Sequence, residues 1–138
     1  MNITFTEDKK FTREQIERLF LSVNWLSGKY PNRLYKALMN SSTVITAWNE
    51  NELVGLARAI DDGEMVAFIH YVLVAPNYQG HGIAGTMVNM LKEKYSNYLY
   101  LELMPEERKN AAFYEKFGFS EMKDGVPMQI FNREMKDE

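Results

Sequence analysis

The glycines at positions 80, 82 and 85 are the residues with the clearest chemical implication in this chain. They follow the segment from Val66 to Val74, whose β-branched and aromatic residues predict a buried strand. After them come apolar residues at helical spacing, namely Ile83, Met87, Met90 and Leu91. A strand that turns into a helix leaves backbone N–H groups unpaired at the helix start, and such groups bind phosphate. The pattern therefore predicts a phosphate or pyrophosphate site, with a merely flexible turn as the alternative.

The residue order excludes two common phosphate-binding loops. A Walker A loop needs Lys and then Ser or Thr after its last glycine, but here Ile83 and Ala84 follow Gly82. The dinucleotide-binding fingerprint has a different glycine spacing and needs a βαβ unit early in the chain, which this sequence does not predict.

Two motifs instead resemble those of the GNAT N-acetyltransferases. Residues 79–85 (Gln-Gly-His-Gly-Ile-Ala-Gly) resemble the family's acyl-CoA loop, whose pattern is Gln/Arg-x-x-Gly-x-Gly/Ala, and Val72 to Tyr78 resemble the strand and turn before it. Residues 112–119 (Ala-Phe-Tyr-Glu-Lys-Phe-Gly-Phe) resemble the Phe-Tyr-x-x-x-Gly-Phe element that follows in the family. On these two motifs in this order the chain is identified as a member of the family.

The resemblance implies the fold and the reaction. It implies an α+β fold with α/β/α layers, in which a mixed, mostly antiparallel sheet of six to seven strands carries helices on both faces. Residues 1–138 would form a single domain. The expected reaction is direct attack of a primary amine on acetyl-CoA as cosubstrate. A non-catalytic acyl-CoA sensor or scaffold is the alternative function.

The resemblance also assigns residues to the coenzyme. The backbone of Val72, Leu73 and Val74 would pair with the pantetheine arm. The pyrophosphate would lie on the loop formed by Gln79, Gly80, His81, Gly82, Ile83, Ala84 and Gly85, with Thr86 as a further donor or an ordinary first-turn residue. Phe113 and Asn110 belong to the second motif. Many members carry an asparagine at the position of Glu107, so Asn110 either takes over that contact or the contact is lost.

Tyr114 and His70 are the candidate catalytic residues. By resemblance Tyr114 is the general acid that protonates the leaving thiolate, and a phenol with a pKa near 10 suits that role. His70 lies about where arylalkylamine N-acetyltransferases place a histidine that helps deprotonate the amine. A core tyrosine and a strand histidine bonded to a neighbour are the structural alternatives. Water, Glu64 or Tyr71 could also provide the base.

Composition limits the remaining functions. A chain of 138 residues with 46% hydrophobic content suits one globular domain, and a net charge of −3 without a basic cluster argues against nucleic acid as partner. Without cysteine there is no disulfide, thiolate zinc site or cysteine nucleophile, and two histidines predict no metal site. The start does not resemble a signal peptide and the longest apolar run is too short for a bilayer, so we expect a cytoplasmic protein without membrane contact.

The rest of the pattern predicts the elements that would position these residues. We expect strands at 2–6, 43–48, 53–60, 65–74 and 98–104, and helices after Thr12, from Pro31, at 82–95 and at 109–117. A closing hairpin is predicted from 119–122 and 128–134.

The acceptor amine is not determined by the sequence. Aromatic residues and carboxylates in the early helices and the late hairpin would suit an arylalkylamine or a polyamine, but they also suit ordinary core and surface: Trp25, Tyr30, Tyr35, Trp48, Phe131, Glu17, Asp61 and Glu64. A homodimer is left open, because dimers are common among relatives.

Overall fold

The computed structural model describes all 138 residues and contains one five-stranded sheet. The strands are β1 (Ile3–Thr6), β2 (Thr43–Asn49), β3 (Glu52–Asp61), β4 (Val66–Val74) and β5 (Tyr100–Leu103), and they lie in this order. All neighbours are antiparallel except β4 and β5. The helices are α1 (Arg13–Ser22), α2 (Pro31–Met39), α3 (Ile83–Lys94) and α4 (Ala111–Glu115). The α+β class and the mixed, mostly antiparallel sheet are confirmed, but the sheet has five strands rather than six to seven.

Helices α1 and α2 cover one face of the sheet. Helix α1 begins with a capping box, in which the Thr12 hydroxyl accepts from the Gln15 N–H at 3.1 Å and the Gln15 side chain accepts from the Thr12 N–H at 2.9 Å. The helix residues Ile16, Phe20 and Leu38 share one buried apolar cluster with sheet residues that include Leu56 of β3 and Leu73 of β4. Each such side chain contributes about 1.5–3 kcal/mol on burial, so this layer fixes the helices firmly.

Helix α3 covers the opposite face, where small residues of the sheet let it approach closely. A Cβ added to Gly55 on β3 would lie 3.2 Å from Ile83 Cγ2 and 3.3 Å from Ala47 Cβ. Ile83 and Met87 are themselves buried in this second core. The glycine-rich turn before α3 is therefore held at one end of β3 and β4.

Strands β4 and β5 part after a short pairing. Their parallel register runs only from Val66, opposite Tyr100, to Ile69, opposite Leu103. Beyond Ile69, β4 continues to Val74 paired with β3 alone. The edge of residues 70–74 that faces β5 therefore pairs with no strand.

The predicted closing hairpin is wrong. Residues 119–138 contain no strand, and no backbone–backbone hydrogen bond involves residues 126–138. The alternating apolar pattern is present, but a strand also needs a paired neighbour, and in this fold residues 128–134 pair with no strand. The tail instead reaches α2, where the Asp137 carboxylate accepts from the N–H groups of Asn32 at 3.2 Å and Arg33 at 2.9 Å. It thus caps a helix start that has no side-chain cap of its own.

The longest helix, α3, has 12 residues, whereas crossing a bilayer takes about 20 apolar residues.

Candidate active site

The turn between β4 and α3 presents a row of free backbone donors. Gly80 and Gly82 have φ of 82° and 78°, the left-handed conformation that glycine adopts without strain. Gly82 precedes the first residue of α3 and no side chain caps the helix. None of the N–H groups from residue 80 through 85 has a hydrogen-bond partner in the chain. Together with the positive end of the helix dipole, these six donors suit a diphosphate.

Gly85 has a different reason to be glycine. It lies inside α3 with ordinary helical φ, and a Cβ there would lie 2.9 Å from Phe117 Cζ. Its missing side chain lets the segment after α4 pack against the start of α3, which brings the two sequence motifs together.

We expect Gly85→Val to destabilise the fold by about 1–3 kcal/mol, because the added atoms force Phe117 away. Urea unfolding measures this change, with Gly125→Val as the matched control. Gly125 has only an ordinary contact of 3.5 Å at its Cβ position, so its substitution should change stability little. Equal stability of the two variants would contradict the packing role.

The polar side chains of the turn are used for local structure. Gln79 Nε2 donates to the Val74 carbonyl at 3.0 Å, which holds the turn closed. The Thr86 hydroxyl donates to the Gly82 carbonyl at 3.0 Å, as a first-turn residue does. The His81 side chain is exposed. In this conformation the turn offers an anion its backbone rather than these side chains.

A cavity of about 480 Å³ lies along the free edge of β4 and the glycine turn. Its wall includes most of the residues predicted for the coenzyme, namely Val72, Leu73, Val74, Gln79, Gly80, Gly82, Ile83, Ala84, Gly85 and Phe113. Val23, Trp25 and Tyr78 complete it. His81, Thr86, Asn110 and Tyr114 do not line this cavity.

Comparison with known proteins agrees with this geometry. The family model described as Acetyltransferase (GNAT) family matches residues 10–119. The chain belongs to the GNAT acetyltransferase family. An uncharacterized N-acetyltransferase ycf52 of Pyropia yezoensis is 31% identical over 132 residues, which cover 91% of this chain and 74% of the relative.

Two solved structures are similar to this GNAT chain over almost its whole length. A GNAT family acetyltransferase of Streptococcus pneumoniae TIGR4 has a TM-score of 0.82 at 27% identity, covering 96% of this chain and all of that one. A protein of meticillin-resistant Staphylococcus aureus has a TM-score of 0.85 at 25% identity, covering 95% of this chain and all of that one. The predicted family and fold class are therefore confirmed.

Tyr114 of this GNAT domain is a partly buried residue of α4. Its ring packs edge-on against Phe113 at 5.0 Å and Phe119 at 6.0 Å. Burial raises the pKa of the Tyr114 phenol, so the phenol stays protonated at neutral pH. The neighbouring Asn110 lies just before the helix and its side chain caps nothing. Glu107 pairs with Lys109 at 3.2 Å on the surface.

His70 belongs to a cluster with Arg58 and Tyr71. The His70 Nδ1 atom lies 3.1 Å from Arg58 Nη2, and the His70 ring stacks on the Tyr71 ring with centroids 4.6 Å apart. The Arg58 guanidinium also lies over the Tyr71 ring, 4.6 Å from its centroid. Part of the His70 side chain is exposed to solvent. Desolvation of its packed part lowers the pKa of His70 below the usual range, and the charge of Arg58 lowers it further. Because Arg58 can only donate, Nδ1 accepts and the neutral ring carries its proton on Nε2.

Arg58 is the site residue that the sequence reasoning missed. It is 6% exposed, and its Nε is buried without a hydrogen-bond partner. Desolvation by burial lowers the pKa of the guanidinium, which nevertheless stays charged. One signal was available in the sequence, since Arg58 is the single charged residue in the apolar run from Leu53 to Ile60.

A second cavity of about 660 Å³ lies on the α2 side of Tyr71. Tyr71 lines this cavity and Trp25 lines the coenzyme cavity, and their ring centroids are 6.0 Å apart, so the two rings lie between the cavities. The hydroxyls of Tyr71 and Ser27 are hydrogen-bonded at 2.7 Å. The charged residues of its wall are Arg33, Lys36 and Glu138. This is the candidate acceptor cavity.

Few of the residues suggested for the acceptor line either cavity. Tyr30 lies in the second cavity and Trp25 in the first. Trp48 is buried in the core and Tyr35 packs on Phe11. Phe131, Glu17, Asp61 and Glu64 line neither of these two cavities, and the Asp61 carboxylate accepts from the Tyr95 hydroxyl at 2.6 Å.

Proposed function

We propose that residues 1–138 act as one GNAT domain that transfers an acetyl group from acetyl-CoA to a primary amine. The observation that carries this proposal is the continuous surface formed by the unpaired edge of β4 and the six free N–H groups at residues 80–85. An extended arm that ends in a diphosphate complements that surface, because the edge pairs with amides and the turn binds phosphate.

The first part of the chemistry concerns the leaving group. The amine nitrogen attacks the thioester carbonyl, the C–N bond forms, the C–S bond breaks and the thiolate takes up a proton. Acetyl-CoA supplies the activated acyl group. Tyr114 supplies the proton in this proposal, and its raised pKa supports the role because the donor remains protonated. A free N–H on the edge of β4 would stabilise the oxyanion.

The second part concerns the proton that the amine must lose. His70 accepts it directly or through water, and its lowered pKa supports this because the ring is neutral at pH 7. The lone pair on Nδ1 is engaged by Arg58. Direct proton transfer therefore requires the guanidinium to move, whereas water is the alternative base.

One observation favours the second candidate function, a sensor that binds acyl-CoA without turnover. Tyr114 does not line the coenzyme cavity although Phe113 beside it does. If α4 keeps this orientation with coenzyme bound, the phenol does not reach the sulfur.

The deciding experiment combines two measurements on the whole chain. Calorimetry with CoA and acetyl-CoA tests the coenzyme site. Thiol release from acetyl-CoA, with polyamines, arylalkylamines, aminoglycosides and peptides with free N-termini, tests transfer. Saturable binding with amine-dependent thiol release supports the transferase, and binding without release on any amine supports the sensor. No binding of either compound contradicts both.

A glycine pair offers a matched test of the turn. We expect Gly82→Val to weaken CoA binding at least tenfold, because Cβ atoms obstruct hydrogen bonds to a charged group worth about 1.5–3 kcal/mol. Gly63→Val is the control, since Gly63 has nearly the same φ, 83°, and equally open surroundings, far from the turn. Both variants carry the same backbone strain, so equal CoA affinity by calorimetry would contradict the assignment.

The pH profile tests the base. Desolvation and Arg58 disfavour the charged imidazole, so its pKa lies below the ordinary value of about 6.5. The neutral form is the base, hence kcat/KM should hold through neutral pH and fall only as the pH drops below about 6.5. His70→Gln should remove this acid limb while leaving CoA affinity unchanged. An identical limb in the variant would assign the base to water or another group.

A further inference from the structure

We propose that Arg58 binds an anionic group, a carboxylate or phosphate, on the acceptor amine. This inference rests on the proposed function and narrows its substrate class. Arg58 lies in β3 opposite Tyr71 of β4, one residue pair from the point where β4 and β5 part. The attacking amine must approach β4 near this point, so an anionic group a few bonds from the amine would meet the guanidinium.

The charge of Arg58 is not balanced within the chain. None of the four ion pairs includes it, the one side-chain hydrogen bond of the guanidinium goes to His70, a neutral acceptor, and its other contact is the ring of Tyr71. A buried cation without a carboxylate partner is costly to the fold. Its Nε is a buried donor without an acceptor. An anion from outside that reaches the guanidinium would balance this charge.

Two further cations lie near Tyr71, but neither lacks an oxygen partner as Arg58 does. Tyr71, which Arg58 contacts, forms the wall of the acceptor cavity, and two further cations, Arg33 and Lys36, line that cavity. Both of these are engaged by oxygens of the tail, with Arg33 Nη1 3.3 Å from the Lys136 carbonyl and Lys36 Nζ 2.8 Å from Glu138 O. The two cations of this wall thus already have oxygen partners, and Glu138 adds a carboxylate beside them, whereas Arg58, which packs on the Tyr71 ring and does not itself line the cavity, has no oxygen partner.

Anion binding would also affect His70. An anionic group that takes the Arg58 Nη2 donor would release the Nδ1 lone pair, which is the atom that has to accept the amine proton. Binding of such an acceptor would thereby free His70 to act as the base, whereas an amine without the anionic group would leave Nδ1 hydrogen-bonded to Arg58.

Two pairs of acceptors that differ in the anionic group test this proposal. Phenylalanine is compared with phenylalaninamide, and O-phosphoethanolamine with ethanolamine, by kcat/KM and by binding to the CoA complex. We expect the anionic member of at least one pair to be preferred about tenfold or more. The pair that shows the preference distinguishes a carboxylate site from a phosphate site. No preference in either pair, including no binding of any member to the CoA complex, overturns the proposal.

Arg58→Met separates recognition from structure. The variant should lose the preference, keep its CoA affinity and unfold at the same or a higher temperature, because it removes an unpaired buried charge. Arg18→Met removes the same charge from the exposed side of α1 and should keep the preference. A variant that unfolds at a lower temperature, or that retains the preference, contradicts the anion site. If the unaltered protein does not bind CoA, that result would instead refute the proposed function.

Discussion

Replacing Tyr114 by phenylalanine is expected to lower kcat about 10²- to 10⁴-fold, the usual contribution of general acid–base catalysis. The leaving thiolate loses its proton donor, while the ring that packs on Phe113 and Phe119 is kept. The CoA dissociation constant should hardly change, because Tyr114 does not line the coenzyme cavity. Steady-state thiol release and calorimetry measure the two effects separately.

Tyr100→Phe is the matched control, because Tyr100 is 52% exposed on β5 and takes no part in the proposed chemistry. It should retain full activity. If Tyr114→Phe also retained full activity, Tyr114 would be a packing residue and its raised pKa only a consequence of burial. The acid would then have to be water or another group.

The sequence predicted the elements whose signals are local. The helix expected after Thr12 begins there, with Thr12 as its N-cap, and Pro31 begins the second expected helix. The glycine turn was expected because positive φ and free amides are properties of a few adjacent residues. Its segments also appear together in one cavity wall, as the two motifs implied.

The features that the sequence did not predict depend on distant residues. Gly85 was assigned to phosphate, but its lack of a Cβ also makes room for Phe117, a contact 32 positions away. The burial of Arg58 depends on Tyr71 across the sheet and on the helices that cover both residues. The hairpin prediction failed for the same reason, because alternation at 128–134 specifies a strand but not the partner with which it pairs.

Phe20→Ala is expected to have the largest effect on stability, about 3–5 kcal/mol out of a typical 5–15 kcal/mol for a domain. Phe20 is fully buried, and its ring packs edge-on against Tyr71 at 4.9 Å and Trp25 at 6.0 Å. Those two rings separate the proposed coenzyme and acceptor cavities, so the variant also loosens the wall between them. Urea unfolding measures the stability change.

Leu21→Ala is its control, since Leu21 is the next residue of α1 and is 40% exposed. Leu21→Ala should lower the free energy of unfolding by well under half as much as Phe20→Ala does. Where Phe20→Ala stays folded, KM for the amine should rise more than the CoA dissociation constant, because the glycine turn is held by the core on the opposite face of the sheet. An equal loss of affinity for the amine and for CoA would mean that the α1 layer supports both sites alike. The wall formed by Tyr71 and Trp25 would then have no functional consequence.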